Sequence, residues 1–404
     1  MYIVNSQIVK DFILSHRTAD VRSLALSLKG ISSDEARFIL CQIEGWQRLR
    51  AKVPEWVSLP DLRYPERLPL EQCSSQAAAE YKAGLVEGGE LFIDLTGGLG
   101  VDFSFMARQF RKAVYVERNA DLCRLARHNF PLLGLSHAEI IEGDGVEYLQ
   151  NMTTMADVVF LDPFRRDEAG RKTVLIEDCT PNVLQLLPVL QQKTRRLLVK
   201  LSPMLDISSA LRALSVCGVS ADAHIVGVGG EVKEVLIDID FSQKHPDSSQ
   251  ILCREDDFSF SFTLSEEQQA VANPHTPTET EGMWLFEPCA TVMKAGPFRL
   301  LAQRYGLVPL HPNSHLYFGN ADVPDFPGRR FRVLRISSMG KQDQRLLRGQ
   351  RANLAVRNFP LSVAQIRAKL HLLDGGQQYW FATTLADNSH ALIICEKELG
   401  VDRV

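Results

Sequence analysis

Between residues 91 and 241, short runs of β-branched and aliphatic residues alternate with stretches of helical apolar spacing, and no other feature restricts the fold as much. LFIDL, AVYVE, AEIIEG, DVVFLD and RLLVKLS read as strands, each followed by a helical segment. Strands re-entered through a helix run parallel, in a sheet covered on its faces. AHIVGVGG and VKEVLIDIDF follow with only a Gly-Gly turn between them, so they read as an antiparallel hairpin that closes the sheet. Parallel strands ending in a hairpin give a seven-stranded arrangement, and that hairpin sets it apart from the six-parallel dinucleotide-binding arrangement.

The carboxyl ends of these strands carry the residues with chemical potential. In LFIDLTGGLGVD, Asp94 ends a strand, a glycine-rich turn follows, and FSFMARQF begins a helix; a ligand crevice forms at such a strand end. Asp94 can orient a ligand ammonium, and Gly98 and Gly100 would let the backbone approach the ligand, because a Cβ would fill its space. The dinucleotide fingerprint begun at Gly98 asks for a third glycine where Phe103 stands, so the nicotinamide reading fails. Glu117 ends the next strand about 20 residues on, where an acid can accept both hydroxyls of a ribose. Asp144 lies just past the third strand, where it can receive an adenine amino group; either acid can equally be a helix N-cap. In VVFLDPFRRD, Pro163 fixes φ and removes a donor, leaving Asp162 and nearby carbonyls to face a substrate amine, and Phe164 can stack on a planar base. Arg165 and Arg166 can clamp a phosphate or pair with Asp167 or Glu168. Lys200, at the end of the fifth strand, reads as an edge charge rather than a catalytic amine.

DLTGGLGVD, Glu117, Asp144 and DPFRR resemble, over roughly 76 to 241, the class I Rossmann-type methyltransferases that use S-adenosylmethionine (SAM). The resemblance implies SAM as cofactor, held by Asp94, Thr96, Gly98, Gly100, Asp102, Glu117 and Asp144, with transfer at Asp162, Pro163 and Phe164. SAM brings its own leaving group, so in-line positioning, which can supply roughly 7 to 11 kcal/mol, takes the place of a strong base. The turn at Thr96 and Gly98-Leu99-Gly100 with Asp102 resembles that of ribosomal-RNA guanine-N2 methyltransferases. Amino-directed members carry Asn or Asp followed by Pro-Pro and an aromatic residue, whereas this chain has Asp162-Pro163-Phe164-Arg165, so the accepting atom stays open. The whole chain also resembles a bacterial family that joins this domain to a small ferredoxin-like domain and a C-terminal THUMP-like domain. EQCSSQAAAEYKA, LFEPCATVMKAG, FPGRRF, RNFPLSV and YWFATTLAD carry that resemblance. THUMP-related modules bind structured RNA, usually tRNA.

At 404 residues the chain exceeds what one core supports, which favours two to four domains. The expected fold is α/β: a helical domain over 1–75, a Rossmann-like seven-stranded methyltransferase domain over 76–245, a linker and ferredoxin-like domain over 246–328, and a basic THUMP-like α+β domain over 329–404. Ser32 to Glu35 offer an N-cap in the first of these. Residues 329 to 369 hold eleven Lys or Arg against one acid, Asp343, within a chain of net charge −4. That asymmetry points to a polyanion-binding surface in which Arg348 and Arg351 are candidate contacts, with a merely solvated basic face as the alternative. Hydrophobic content of 45% and charged content of 23% exclude a disordered or fibrous chain. The eight cysteines include no Cys-x-x-Cys pair, which fits a reducing cytoplasm and gives no sign of a zinc knuckle or disulfide framework. The start lacks a signal-peptide pattern and no apolar run reaches membrane-spanning length. His311 and His315 flank Pro312, so they read as loop histidines and no metal is expected. The resulting expectation is SAM-dependent N-methyl transfer to a base of structured RNA, tRNA or rRNA. A protein or small-molecule acceptor, or a non-catalytic RNA-binding scaffold, are the alternatives.

Overall fold

Near-continuous apolar runs such as ADVVFL at 156–161 suit strands covered on both faces, and the computed structural model places them in the middle of a parallel sheet. It describes residues 7–28, 30–164, 175–242, 249–278 and 282–397. The chain divides into two compact units, one formed by 1–223 and 233–248, the other by 224–232 and 249–404.

In the first unit the strands are β1 (Gly89–Asp94), β2 (Phe110–Glu117), β3 (Ala138–Glu142), β4 (Ala156–Leu161) and β5 (Thr194–Leu201). β6 (Asp222–Val228), most of which falls in the second unit, and β7 (Glu231–Asp240) follow in the sequence, separated by Gly229 and Gly230, both at positive φ as a two-residue turn requires. The order within this unit is β3-β2-β1-β4-β5-β7. β1 to β5 pair in parallel and β7 runs antiparallel to β5, the reversal expected at the end of the sheet. Because β1 is flanked by β2 on one side and β4 on the other, the chain changes winding direction there, and a crevice opens at the carboxyl ends of these two neighbours. Asp94 sits opposite Tyr115 of β2 and Phe160 of β4, at the head of that crevice.

Aromatic packing holds the crevice floor. Phe103, which occupies the position where a dinucleotide site would need glycine, is fully buried; its ring lies 5.0 Å from Phe130, 5.7 Å from Phe92 and 5.5 Å from Tyr115. The N-terminal helices pack in two ways. Val9, Leu24, Ile39 and Ile43 form a small core of their own, with Ser32 capping the helix Ser33–Leu49 as read from the sequence. Leu49, Val53, Trp56, Leu62 and Tyr64 instead share one core with Phe92, Phe103 and Phe130, and the Trp56 indole donates to the Ser104 hydroxyl at 3.2 Å. The helical segment therefore divides near residue 49, and its later part belongs to the sheet domain.

In the second unit β8 (Gln250–Glu255) and β9 (Phe258–Thr263) form an antiparallel pair. A seven-stranded sheet follows, from β10 (Trp284–Pro288), β11 (Val308–Pro309), β12 (Tyr317–Gly319), β13 (Gly328–Ser337), β14 (Arg351–Arg357), β15 (Leu373–Thr384) and β16 (His390–Lys397). Its order is β11-β12-β10-β13-β16-β15-β14, so β14 is an edge strand. The carboxylate of Glu287 on β10 is almost wholly buried and accepts from Arg329 on β13, at 2.9 Å, and Arg357 on β14, at 2.8 Å. Among the described residues no helix is long and apolar enough to cross a membrane.

Trp56→Ala removes a buried ring shared between the helices and the sheet, and should destabilise the first unit by about 3 to 5 kcal/mol. Urea unfolding followed by circular dichroism checks it; an unchanged midpoint would mean that Trp56 does not hold the helices to the sheet core.

Candidate active site

The crevice at the end of β1 is a cleft of about 1290 Å³. Ten of the residues singled out from the sequence line it: Asp94, Thr96, Gly98, Gly100, Asp102, Glu117, Asp162, Pro163, Phe164 and Lys200. Arg165 and Arg166 lie outside the described residues.

Asp94 is 2% exposed, and Thr96 supplies its hydrogen bonds, from the backbone N–H at 2.9 Å and the hydroxyl at 3.3 Å. Thr96 Oγ1 also accepts from the Asp162 N–H at 2.7 Å. The threonine thus ties the acid of β1 to the turn after β4. Burial is the main reason why the Asp94 carboxyl is pushed up to about 8; the carboxylates of Asp102, Asp162 and Glu117 add to it, and the Thr96 N–H opposes it. A carboxyl in that state gains most from a cation placed beside it.

The glycines of the turn differ in what surrounds them. A Cβ on Gly98 would meet nothing nearer than the Thr96 carbonyl at 3.6 Å, so it would stand in open cleft space, and the φ of +56° favours glycine there as well. A Cβ on Gly100 would meet the Phe130 ring at 3.0 Å, so packing against that ring limits this cleft-lining position. The tightest position is Gly97, which its sequence context does not single out: a Cβ there would stand 2.2 Å from the Tyr115 ring. The Tyr115 hydroxyl donates to the Gly98 carbonyl at 2.5 Å, and the Gly98 N–H donates to Glu117 Oε2 at 2.8 Å. Glu117 Oε1 accepts from the Asn119 N–H at 2.8 Å, so this carboxylate anchors both the turn and the chain beyond β2. Asp144 is the N-cap of the helix Gly145–Asn151, accepting from Val146 and Glu147 at 2.8 and 2.9 Å, and its other oxygen pairs with Arg118. Its neighbours Gly145 and Val146 line the cleft.

Beneath the turn lies a cluster that the sequence does not reveal. Lys82, fully buried on the helix Gln76–Gly84, pairs with Glu234 of β7 and lies 3.1 Å from Asp102. The Ser74 hydroxyl donates to Asp102 at 2.7 Å. Lys200 is not the edge charge expected: it is 7% exposed, its Nζ 2.6 Å from Asp162 and 3.4 Å from Asp102. Burial alone would push the Asp102 carboxyl up, but the ammonium groups of Lys82 and Lys200 outweigh it and hold the carboxyl at about 2. Asp102, on the first turn of the helix that starts at Val101, is thus tied into the cluster while lining the cleft. Phe164 is held by paired backbone hydrogen bonds with Thr180, at 2.7 and 2.9 Å, and its ring is 73% exposed at the rim of the cleft.

In the second unit, folding brings acids to the basic stretch. Arg329, Arg330, Arg332, Arg335, Arg357 and Arg367 pair with Glu287, Asp322, Glu396, Asp343, Glu287 and Asp374 respectively. Lys341, Arg345, Arg348, Arg351 and Lys369 are exposed, with no carboxylate partner among the described residues. Arg348 contacts the His371 ring at 2.7 Å and Arg351 donates to the Asp374 carbonyl at 2.7 Å.

A switch-point cleft with a buried acid after β1, a second acid after β2 and an antiparallel β7 beside β5 is the architecture of a class I SAM-dependent methyltransferase. SAM carries an ammonium and a sulfonium, and the under-compensated Asp94 carboxyl in a carboxylate-lined cleft fits such a cation. The chain belongs to the family of a Porphyromonas gingivalis W83 protein assigned as a methyltransferase, to whose crystal structure it is 32% identical over 97% of this chain and 98% of that one, with a TM-score of 0.85. Residues 284–327 match the profile of a ferredoxin-like domain and 328–397 that of a THUMP domain-like module. An uncharacterized SAM-dependent methyltransferase of Mycobacterium tuberculosis is 25% identical over 266 residues, 66% of this chain and 68% of that protein. A Sulfolobus acidocaldarius protein named as a cobalt-precorrin-6B C(15)-methyltransferase is 26% identical over 184 residues, 44% of this chain and 84% of its own.

Lys82→Met would leave the Glu234 and Asp102 carboxylates buried without their shared cation, a loss of the kind that costs about 3 to 5 kcal/mol. Chemical denaturation checks this; a variant as stable as the parent would show that the cluster carries no net stabilisation from Lys82.

Proposed function

We propose that this methyltransferase modifies structured RNA, tRNA or rRNA, and that the second unit grips the RNA backbone. The observation that carries the reading is the group of five exposed cations, Lys341, Arg345, Arg348, Arg351 and Lys369, which have no carboxylate partner among the described residues and stand on the domain that matches the THUMP-like profile. Unmet positive charge on such a module suits phosphates, whose contacts dominate affinity for nucleic acids. Phe164, presented at the rim of the cleft, supplies a platform on which a nucleobase can stack.

In this reading the cofactor's ammonium lies on Asp94, its ribose hydroxyls on Glu117 and its adenine beside Asp144, with the turn from Thr96 to Gly100 around it. Bound SAM supplies an electrophilic methyl carbon. Asp162, Pro163 and Phe164 orient the acceptor toward that carbon, and Arg165 and Arg166 are candidates for a phosphate of the target nucleotide. Arg348 and Arg351 act at a distance from chemistry, by binding.

Incubation with methyl-tritiated SAM and total RNA from cells lacking the protein should place label in an RNA fraction; intact SAM binding with no labelled RNA defeats the proposal. Arg348→Ala combined with Arg351→Ala should lower the slope of log affinity against log salt by roughly 2, measured by filter binding, and an unaltered slope would return these arginines to a solvated face.

The Asp94 assignment has a calorimetric signature. In the free protein the carboxyl, at about 8, is mostly protonated at pH 7. A neighbouring ammonium lowers its pKa, so binding releases a proton wherever the pH lies between the bound and free values, and affinity rises with pH from 6 to 7.5. S-adenosylhomocysteine binding at pH 7, compared in buffers of different ionisation enthalpy, should release close to one proton, and Asp94→Asn should abolish the release. Equal heats in all buffers would remove Asp94 from the ammonium site.

A further inference from the structure

The transfer end of the cleft holds a cation as well as the acid read from the sequence. Lys200 lines the cleft and places its Nζ 2.6 Å from Asp162. Charged groups surround it on several elements: Asp162 after β4, Asp102 on the helix Val101–Met106, Glu234 on β7, Lys82 on the helix Gln76–Gly84, and Asp94 at the end of β1. An ammonium has three donors, and Asp162 and Asp102 take two of them.

We propose that the methyl acceptor is a hydroxyl oxygen, of the class of a ribose 2′-hydroxyl, which Lys200 contacts through its ammonium while Asp162 receives the proton. This rests on the RNA reading for the identity of the alcohol, and it departs from the amine acceptor expected from the Asp-Pro-Phe turn. An amine becomes cationic as the methyl group arrives, and a fixed ammonium at contact distance opposes that change. A hydroxyl must shed its proton, and the same ammonium stabilises the oxyanion that develops. Burial pulls the Lys200 ammonium toward neutrality, but Asp162, Asp102 and Glu234 outweigh it and hold its pKa well above the ordinary lysine value. Lys200 is therefore a lasting cation and not a base. The hydroxyl proton passes to Asp162 Oδ1, the oxygen that Lys200 leaves open, and from this partly exposed carboxylate to water. The oxygen–carbon bond forms as the carbon–sulfur bond of the sulfonium breaks, giving a methyl ether and the neutral thioether product.

The test starts from the intact protein, methyl-tritiated SAM and total RNA from cells lacking the protein. Alkali cleaves RNA only beside a free 2′-hydroxyl, so ribose methylation leaves label in alkali-resistant dinucleotides, the expected result. Label confined to mononucleotides overturns this inference and leaves the RNA reading standing, whereas no label in any RNA overturns both. In a second arm, Lys200→Met should lower transfer by about 100-fold or more while S-adenosylhomocysteine affinity, by calorimetry, stays within about threefold. A folded Lys200→Met protein that transfers methyl at the parent rate removes Lys200 from the reaction.

Discussion

Charge buried beneath the glycine-rich turn is the constraint on which the first unit depends. Two lysines and three carboxylates, Lys82, Lys200, Asp102, Asp162 and Glu234, meet from two helices, the β4 turn, β5 and β7. Removing such groups from water costs several kcal/mol each, which only mutual pairing offsets. The elements that carry them are therefore held in one register, because displacing any of them would strand a charge. Thr96 extends the same chain of contacts upward, from Asp162 to Asp94. The carboxylate that ends β1 and the backbone of the residue after β4 are thus connected through a single hydroxyl.

Most of the catalytic sheet is legible in the residues. Alternating apolar runs locate β1 to β5, and the Gly-Gly turn locates the pair β6 and β7, because strand burial and turn geometry are local demands that residue type answers directly. That Asp94, Glu117 and Asp162 line one cleft is legible for a related reason: each stands at or just past the carboxyl end of a strand of the parallel sheet. Lys82 and Glu234 are not legible. They stand 152 residues apart, each a lone charge inside an ordinary helix or strand pattern, and only tertiary folding makes them partners. Lys200 misleads on the same ground, since an unpaired lysine at a strand end usually faces water. Gly97 carries no signal of its own because what excludes a side chain there is the Tyr115 ring, contributed by a different strand.

The second unit shows how a charge count along the sequence overstates a surface. The stretch from 329 to 369 is strongly basic when read alone, yet Glu287, Asp322, Asp374 and Glu396 reach it from outside or from its margins. Glu287 is the clearest instance: nearly inaccessible to water, it fastens β13 and β14 to β10 through two arginines, which are therefore structural cations. What remains unneutralised among the described residues is a smaller set on the helix Lys341–Leu347, at the start of the edge strand β14 and near the end of the helix Val363–Leu370.

Tyr115 makes the glycine-rich turn independent of what it binds. Its ring occupies the space above Gly97 and its hydroxyl holds the Gly98 carbonyl, while burial, reinforced by Glu117 and Asp94, keeps that hydroxyl protonated. A cradle shaped by a neighbouring side chain needs no ligand to acquire its form, so little ordering entropy is lost when a cofactor arrives. Changes at the Asp162 end of the cleft can then accumulate without disturbing the shape of the turn.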